Sequence, residues 1–162
     1  MIVNKNIKIF SAFLLVNLIL WGCNSNLKKE VIEKFDDGSP KKESFYTLTE
    51  KNRRVVKEIQ YYESGQKKYI GHFKNGKKDG KWVFWFENGN KWSEGYFIEG
   101  LRTSKAFVYH ENGNIFYKGE YLAGKKDGNW TFYNIDGEKV NVVTFDNGVI
   151  VSQTNPNIKT IE

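Results

Sequence analysis

The chain has 162 residues, enough for one domain, and its 40% hydrophobic and 27% charged composition is that of a globular protein. Aromatic residues make up 16%, with only two Pro and one Met, which favours strands over helices. The net charge of +6 is mild and interspersed with acids, which argues against a dedicated nucleic-acid surface, and the single cysteine, Cys23, excludes an internal disulfide or a Cys-cluster metal site.

In chain order, the first element is an address. Lys5 and Lys8 precede a run of about a dozen mostly apolar residues, Ile9 to Leu20, too short to span a bilayer but suited to an export signal. Leu20-Trp21-Gly22-Cys23 follows, then the polar Asn24-Ser25-Asn26. This resembles a bacterial lipobox, with Trp21 departing from the usual small or aliphatic residue. The resemblance implies cleavage after Gly22 and lipidation of the Cys23 sulfur. Removing residues 1–22 takes away two Lys and no acid, so the charge falls from +6 to +4. Several acyl chains, at ~0.8 kcal/mol per buried CH₂, would hold the chain at a membrane outside the cytoplasm. An uncleaved signal anchor is the competing reading.

Residues 23–34 are polar with paired Lys and are expected to form a tether or the start of the first element. Residues 35–148 form the body. Glu63-Ser64-Gly65-Gln66, Glu87-Asn88-Gly89-Asn90 and Glu111-Asn112-Gly113-Asn114 recur every 24 residues, with a weaker copy at Ile135-Asp136-Gly137-Glu138. Gly76, Gly100, Gly124 and Gly148 keep the same step, as do Gly71, Gly95 and Gly119. Such a period marks a repeat array. Gly38 stands 27 residues before Gly65, so the first unit is worn and carries three extra residues. Residues 149–162 are expected to be a loose tail.

Trp82-Val83-Phe84-Trp85-Phe86 and Trp130-Thr131-Phe132-Tyr133 are strand-like runs, and Asn88-Gly89 and Asn112-Gly113 are type I′ hairpin signals. Asn75-Gly76-Lys77-Lys78-Asp79-Gly80 and its copy at Ala123 to Gly128 read as glycine-rich turns, with Asp79 and Asp127 bonding their own backbone and the lysines solvated. The fold is therefore expected to be all-β, a single-layer antiparallel meander of repeated hairpins behind a signal peptide. Two-residue turns at Asn88-Gly89 would pair Trp85 with Trp92, Phe84 with Ser93, Tyr109 with Phe116, Tyr133 with Val140 and Tyr61 with Lys68. One face would then carry Tyr61, Trp85, Trp92, Tyr109, Phe116 and Tyr133. The other would carry Trp82, Phe84, Phe97, Tyr121, Phe132 and Phe145, with Gly95 and Gly119 leaving room. A longer loop would shift this pairing.

Gly71-His72-Phe73-Lys74-Asn75-Gly76-Lys77-Lys78-Asp79-Gly80-Lys81-Trp82 resembles the MORN repeat. The Asp before the last Gly and the Trp after it resemble the bacterial variant found in YwqK-family antitoxins and in many exported proteins. The resemblance covers residues 35–148 and implies a sheet used for binding or scaffolding. Thr103-Ser104 replaces Asp-Gly in the middle unit, where a different turn is expected.

No catalytic constellation, cofactor motif or metal-ligand spacing is present in the sequence. His72 and His110 lie at different repeat positions, with no Cys or Ser near either in sequence. The candidate binding surface is the stripe of Tyr61, Trp85, Trp92, Tyr109, Phe116 and Tyr133, because exposed apolar patches mark interaction sites. The expected function is that of a non-enzymatic envelope lipoprotein binding an unidentified protein partner. Neutralisation of an exported toxin and carbohydrate or cell-wall binding are the alternatives.

Overall fold

The computed structural model describes residues 27–49 and 52–154; the lipobox and Cys23 lie outside them. Eleven strands follow one another in one open antiparallel sheet, each bonded to its sequence neighbours: β1 (Leu27–Lys34), β2 (Pro40–Leu48), β3 (Arg53–Tyr61), β4 (Lys67–Lys74), β5 (Lys77–Trp85), β6 (Lys91–Ile98), β7 (Leu101–Tyr109), β8 (Ile115–Leu122), β9 (Lys125–Tyr133), β10 (Lys139–Asp146) and β11 (Val149–Thr154). The expected meander is what forms, and it does not close. Two boundaries move. Residues 27–34, read as a tether or the start of the first element, are strand β1, and residues 149–154, read as tail, are strand β11. Two of the three extra residues of the first unit lengthen the β2–β3 connection, where Thr49 and Asn52 bond each other's backbone, and the third lengthens β2.

The two kinds of turn exchange the roles expected of them. At Asn88-Gly89, Phe86 N–H bonds Asn90 C=O at 2.8 Å and Gly89 N–H bonds Phe86 C=O at 3.1 Å. That is a three-residue loop ending in a left-handed Gly89 (φ 89°), followed by a bulge. The same loop recurs at Phe35, Tyr62, His110 and Asn134. The two-residue turns lie at the other end of the strands, at Asn75-Gly76, Glu99-Gly100, Ala123-Gly124 and Asn147-Gly148, where both residues have positive φ. Residues 77–80 are not turn but the start of β5, with Asp79-Gly80 bulged out of the ladder against β4. The middle unit keeps this geometry despite its Thr103-Ser104, because Ser104 takes the left-handed φ of 57°.

A left-handed Ala or Glu is disfavoured by about 1 kcal/mol. Stacking of the turns compensates: Gly100, Gly124 and Gly148 each donate N–H to Lys78, Arg102 and Lys126 C=O at 2.8 Å. Ala123→Asn, which supplies the residue found at 75 and 147, is expected to stabilise by roughly 0.5–1 kcal/mol. A urea midpoint unchanged or lowered would show that Ala123 carries no strain.

The loop geometry also resets the register. Phe84 faces Ser93 as expected, but Trp85 faces Lys91, Tyr109 faces Ile115, Tyr133 faces Lys139 and Tyr61 faces Lys67. The bulge lets Trp92 and Phe116 cross to the other face. Trp92 packs on Phe84 at 5.8 Å between ring centroids, and Phe116 on Tyr117 at 5.4 Å.

The core is one face of this sheet. Trp82, Phe84, Phe97, Tyr121, Phe132 and Phe145 meet there, as expected, joined by Tyr69, Tyr117 and Trp130. Trp130 has no exposed surface. Its ring lies over Gly119, is edged by Tyr121 at 4.9 Å and is covered by the Lys126 ammonium at 4.5 Å. A single layer can thus bury a Trp between glycine backbone below and a lysine stem above.

Candidate functional site

The stripe read from the sequence splits between the two faces. Tyr61, Trp85, Tyr109 and Tyr133 stay together on the face opposite the core, which also carries Glu43 and Glu94. The Tyr61 hydroxyl donates to Glu43 at 2.9 Å, and burial followed by that carboxylate pushes its pKa up to about 12. The Tyr109 hydroxyl donates to Glu94 at 2.7 Å and is likewise raised, first by burial and then by Glu94. Tyr133 lies under the Lys118 ammonium at 5.6 Å. Tyr61 and Trp85 flank an open depression of 390 Å³ beside Gly65 and Gly89. Three of these four side chains are therefore engaged by charged neighbours.

Glu94 is the hub of this charged face. Lys81 reaches it at 2.9 Å and Lys91 at 3.2 Å, in addition to Tyr109. Burial alone would raise the Glu94 carboxyl, but the hydrogen bonds from Lys81, Tyr109 and Lys91 outweigh it and hold the pKa at about 2, against an ordinary 4.5. A depressed carboxylate contributes stability above its unfolded pKa and loses it as pH falls through the folded one. With both lysines nearly half exposed, the contribution is about 1–2 kcal/mol. Glu94→Gln is expected to lower stability by that amount at pH 7, with the difference fading between pH 4.5 and 2. A difference independent of pH would contradict this assignment.

Trp92 and Phe116 occupy the rim of the aromatic face, one repeat apart, and are 48% and 42% exposed. Phe86 and His110 stand beside them, at 6.3 Å and 4.9 Å between ring centroids. Both histidines are absorbed by the backbone: His72 Nδ1 donates to Lys81 C=O at 2.9 Å and His110 Nε2 to Tyr133 C=O at 3.1 Å. Asp79 and Asp127 accept from Glu99 N–H and Asn147 N–H of the next turn, not from their own backbone. Thr103 gives the middle unit no carboxylate at this position.

Sequence reasoning missed three residues of the aromatic face. Lys78 and Lys126 are not solvated turn lysines. Together with Arg102 they form a row, each lying over the rings of its neighbours. The available signal was their own 24-residue spacing, four positions before Trp82, Ala106 and Trp130. Arg102 fills the space over Gly95 and Ala106 that a Trp occupies in the flanking units.

These features define a class, an open β-repeat sheet with one aromatic and one ionic face. The repeats themselves are identified by comparison: the MORN repeat variant matches residues 54–75, 78–99 and 102–123, so the chain carries three such repeats. No curated protein matches. Among solved structures, TarM is similar over 76% of this chain at 16% identity and a TM-score of 0.41. An S. aureus TarM mutant in complex with Fondaparinux, alpha-GlcNAc-glycerol and UDP is similar over 81% at 15% identity and a TM-score of 0.25. The chain spans about a fifth of the length of either, 21% and 20%.

Proposed function

We propose that this chain is a non-enzymatic binding module, held at the cell envelope by lipidated Cys23, whose repeat sheet docks a protein partner. The observation that supports the reading is the pair of half-exposed rings, Trp92 and Phe116, at the rim of an otherwise packed aromatic face. Large aromatics with one face free are the side chains that anchor protein interfaces. The YwqK-type resemblance suggests toxin neutralisation as the alternative; the export signal then requires an exported target, and a small exported toxic protein encoded beside this chain would favour it.

The test is crosslinking in cells, comparing the native chain with a Trp92→Ala, Phe116→Ala double variant. A defined partner captured by the native chain and lost with the variant is expected; identical capture by both would overturn the assignment of the rim. Anchoring is tested by metabolic lipid labelling, and label that persists on Cys23→Ser would refute it.

A further inference from the structure

From β5 to β10 the strand residues of the aromatic face include Lys78, Arg102 and Lys126 but no Asp or Glu. Lys78 Nζ lies 4.1 Å from the Trp82 ring and 5.2 Å from Phe97. The Arg102 guanidinium lies 5.2 Å from Phe97 and 5.4 Å from Tyr121. Lys126 Nζ lies 4.5 Å from Trp130 and 4.9 Å from Phe145. Among the described residues none of the three has a carboxylate partner, whereas Lys29, Lys42, Arg53, Lys81 and Lys91 all do. Burial, and then the charge of Arg102, lower the pKa of Lys78, so the row has an electrostatic cost that a bound anion would relieve.

We infer that this row is a docking track for an acidic polyproline II segment of the partner, with a carboxylate at every third residue. Successive cations are two strands apart, a spacing of about 10 Å. A polyproline II helix has three residues per turn at ~3.1 Å each, so every third side chain points the same way about 9 Å further on. Its proline rings would pack on the half-buried Tyr121 and Phe145 rings and on the cation stems, since Trp82, Phe97 and Trp130 are covered. A β-strand peptide repeats its side-chain direction every ~7 Å, so no side chain on that face stands within about 3 Å of the second cation. The inference rests on the protein-binding reading above and adds the chemistry of what is bound.

The probe is a synthetic peptide of four Pro-Pro-Glu repeats, titrated against the full-length chain in detergent by tryptophan fluorescence. The controls are four Pro-Pro-Gln repeats and four Pro-Glu repeats, the second having the same charge at the wrong spacing. Pro-Pro-Glu is expected to bind about tenfold more tightly than either control, and less tightly as salt is raised. Arg102→Gln is expected to weaken it about tenfold, Arg102→Lys much less. Because Arg102 and Lys126 also pack, Lys126→Gln is measured where its circular dichroism shows it folded and should weaken binding by a similar factor, while Lys126→Arg, which keeps both the charge and the cover over Trp130, should bind as the native chain does.

Equal binding of both acidic peptides, no binding, or binding indifferent to Arg102 and Lys126 would overturn the inference. So would displacement of the peptide by polygalacturonate at equal charge concentration, which would assign the row to an acidic glycan. Retained, rim-dependent capture of a partner in cells alongside any of these results would leave the protein-binding reading standing and remove only the track.

Discussion

Trp130→Ala is expected to cost about 3–5 kcal/mol, enough to unfold a marginal domain at ambient temperature. The residue has no exposed surface, yet it belongs to a sheet with no second layer. Its burial comes entirely from neighbours on its own face: Tyr117 and Tyr121 on β8, Phe145 on β10 and the Lys126 stem on its own strand. Its indole N–H also donates to Glu120 C=O at 3.2 Å. Truncation removes the ring and exposes the edges of three others, and no second layer can collapse into the space. Trp92→Ala provides the contrast. That ring is 48% exposed and packs on Phe84 and Phe86 alone among aromatics, so its loss is expected to cost less than about 1 kcal/mol. Denaturant unfolding of the two variants, followed by circular dichroism, separates the tryptophan that builds the sheet from the one left free at its rim. Similar costs for both would show that Trp92 belongs to the packed core and is not a free ring at the rim.

The 24-residue step was enough to specify the meander and six members of the aromatic core, though not Tyr69, Tyr117 or Trp130, because glycine and aromatic positions recur on a fixed pitch. It could not specify the turns. Asn-Gly fits both a two-residue type I′ turn and a three-residue loop with a bulge, and local sequence does not choose between them. What chooses here is contact between repeats. Asn88 Oδ1 accepts from Asn90 N–H, while the amides of Asn88 and Asn90 both donate to Glu111 C=O, at 3.1 and 2.8 Å, in the next loop. Asn112 and Asn114 do the same to Ile135 C=O. The asparagines are thus part of an inter-repeat ladder, and the loop they hold moves the register by one at the strand ends. That single step was sufficient to carry Trp92 and Phe116 to the opposite face and divide the stripe. The two-residue turns at Glu99 and Ala123 were hidden for the converse reason: neither residue favours positive φ, and the geometry is imposed by the stacked turn before it.

Among the described glycines Gly119→Ala should be the most damaging change, while Gly95→Ala, at the same repeat position, should be nearly neutral. A Cβ at 119 would stand 2.3 Å from the Trp130 ring, and one at 71 would stand 2.5 Å from Trp82. Both rings lie flat on the backbone and are pinned by their N–H bonds to Glu120 and His72 C=O, so neither can withdraw without opening the core. The expected cost is about 2–3 kcal/mol or more. At 95 the nearest atoms are Arg102 Nη1 at 3.5 Å and Ala106 Cβ at 3.8 Å, ordinary contacts, because Ala106 replaces the Trp. There the methyl fits, and the lower entropy of the unfolded chain offsets any small rearrangement, leaving a net change within about 0.5 kcal/mol. The pair of variants tests the whole packing scheme at once, since sequence periodicity treats these glycines as equivalent and only the identity of the residue across the strand distinguishes them. Equal destabilisation would mean that Arg102 fills its gap as rigidly as an indole does, and the row of cations would then be part of the core instead of a surface open to a ligand.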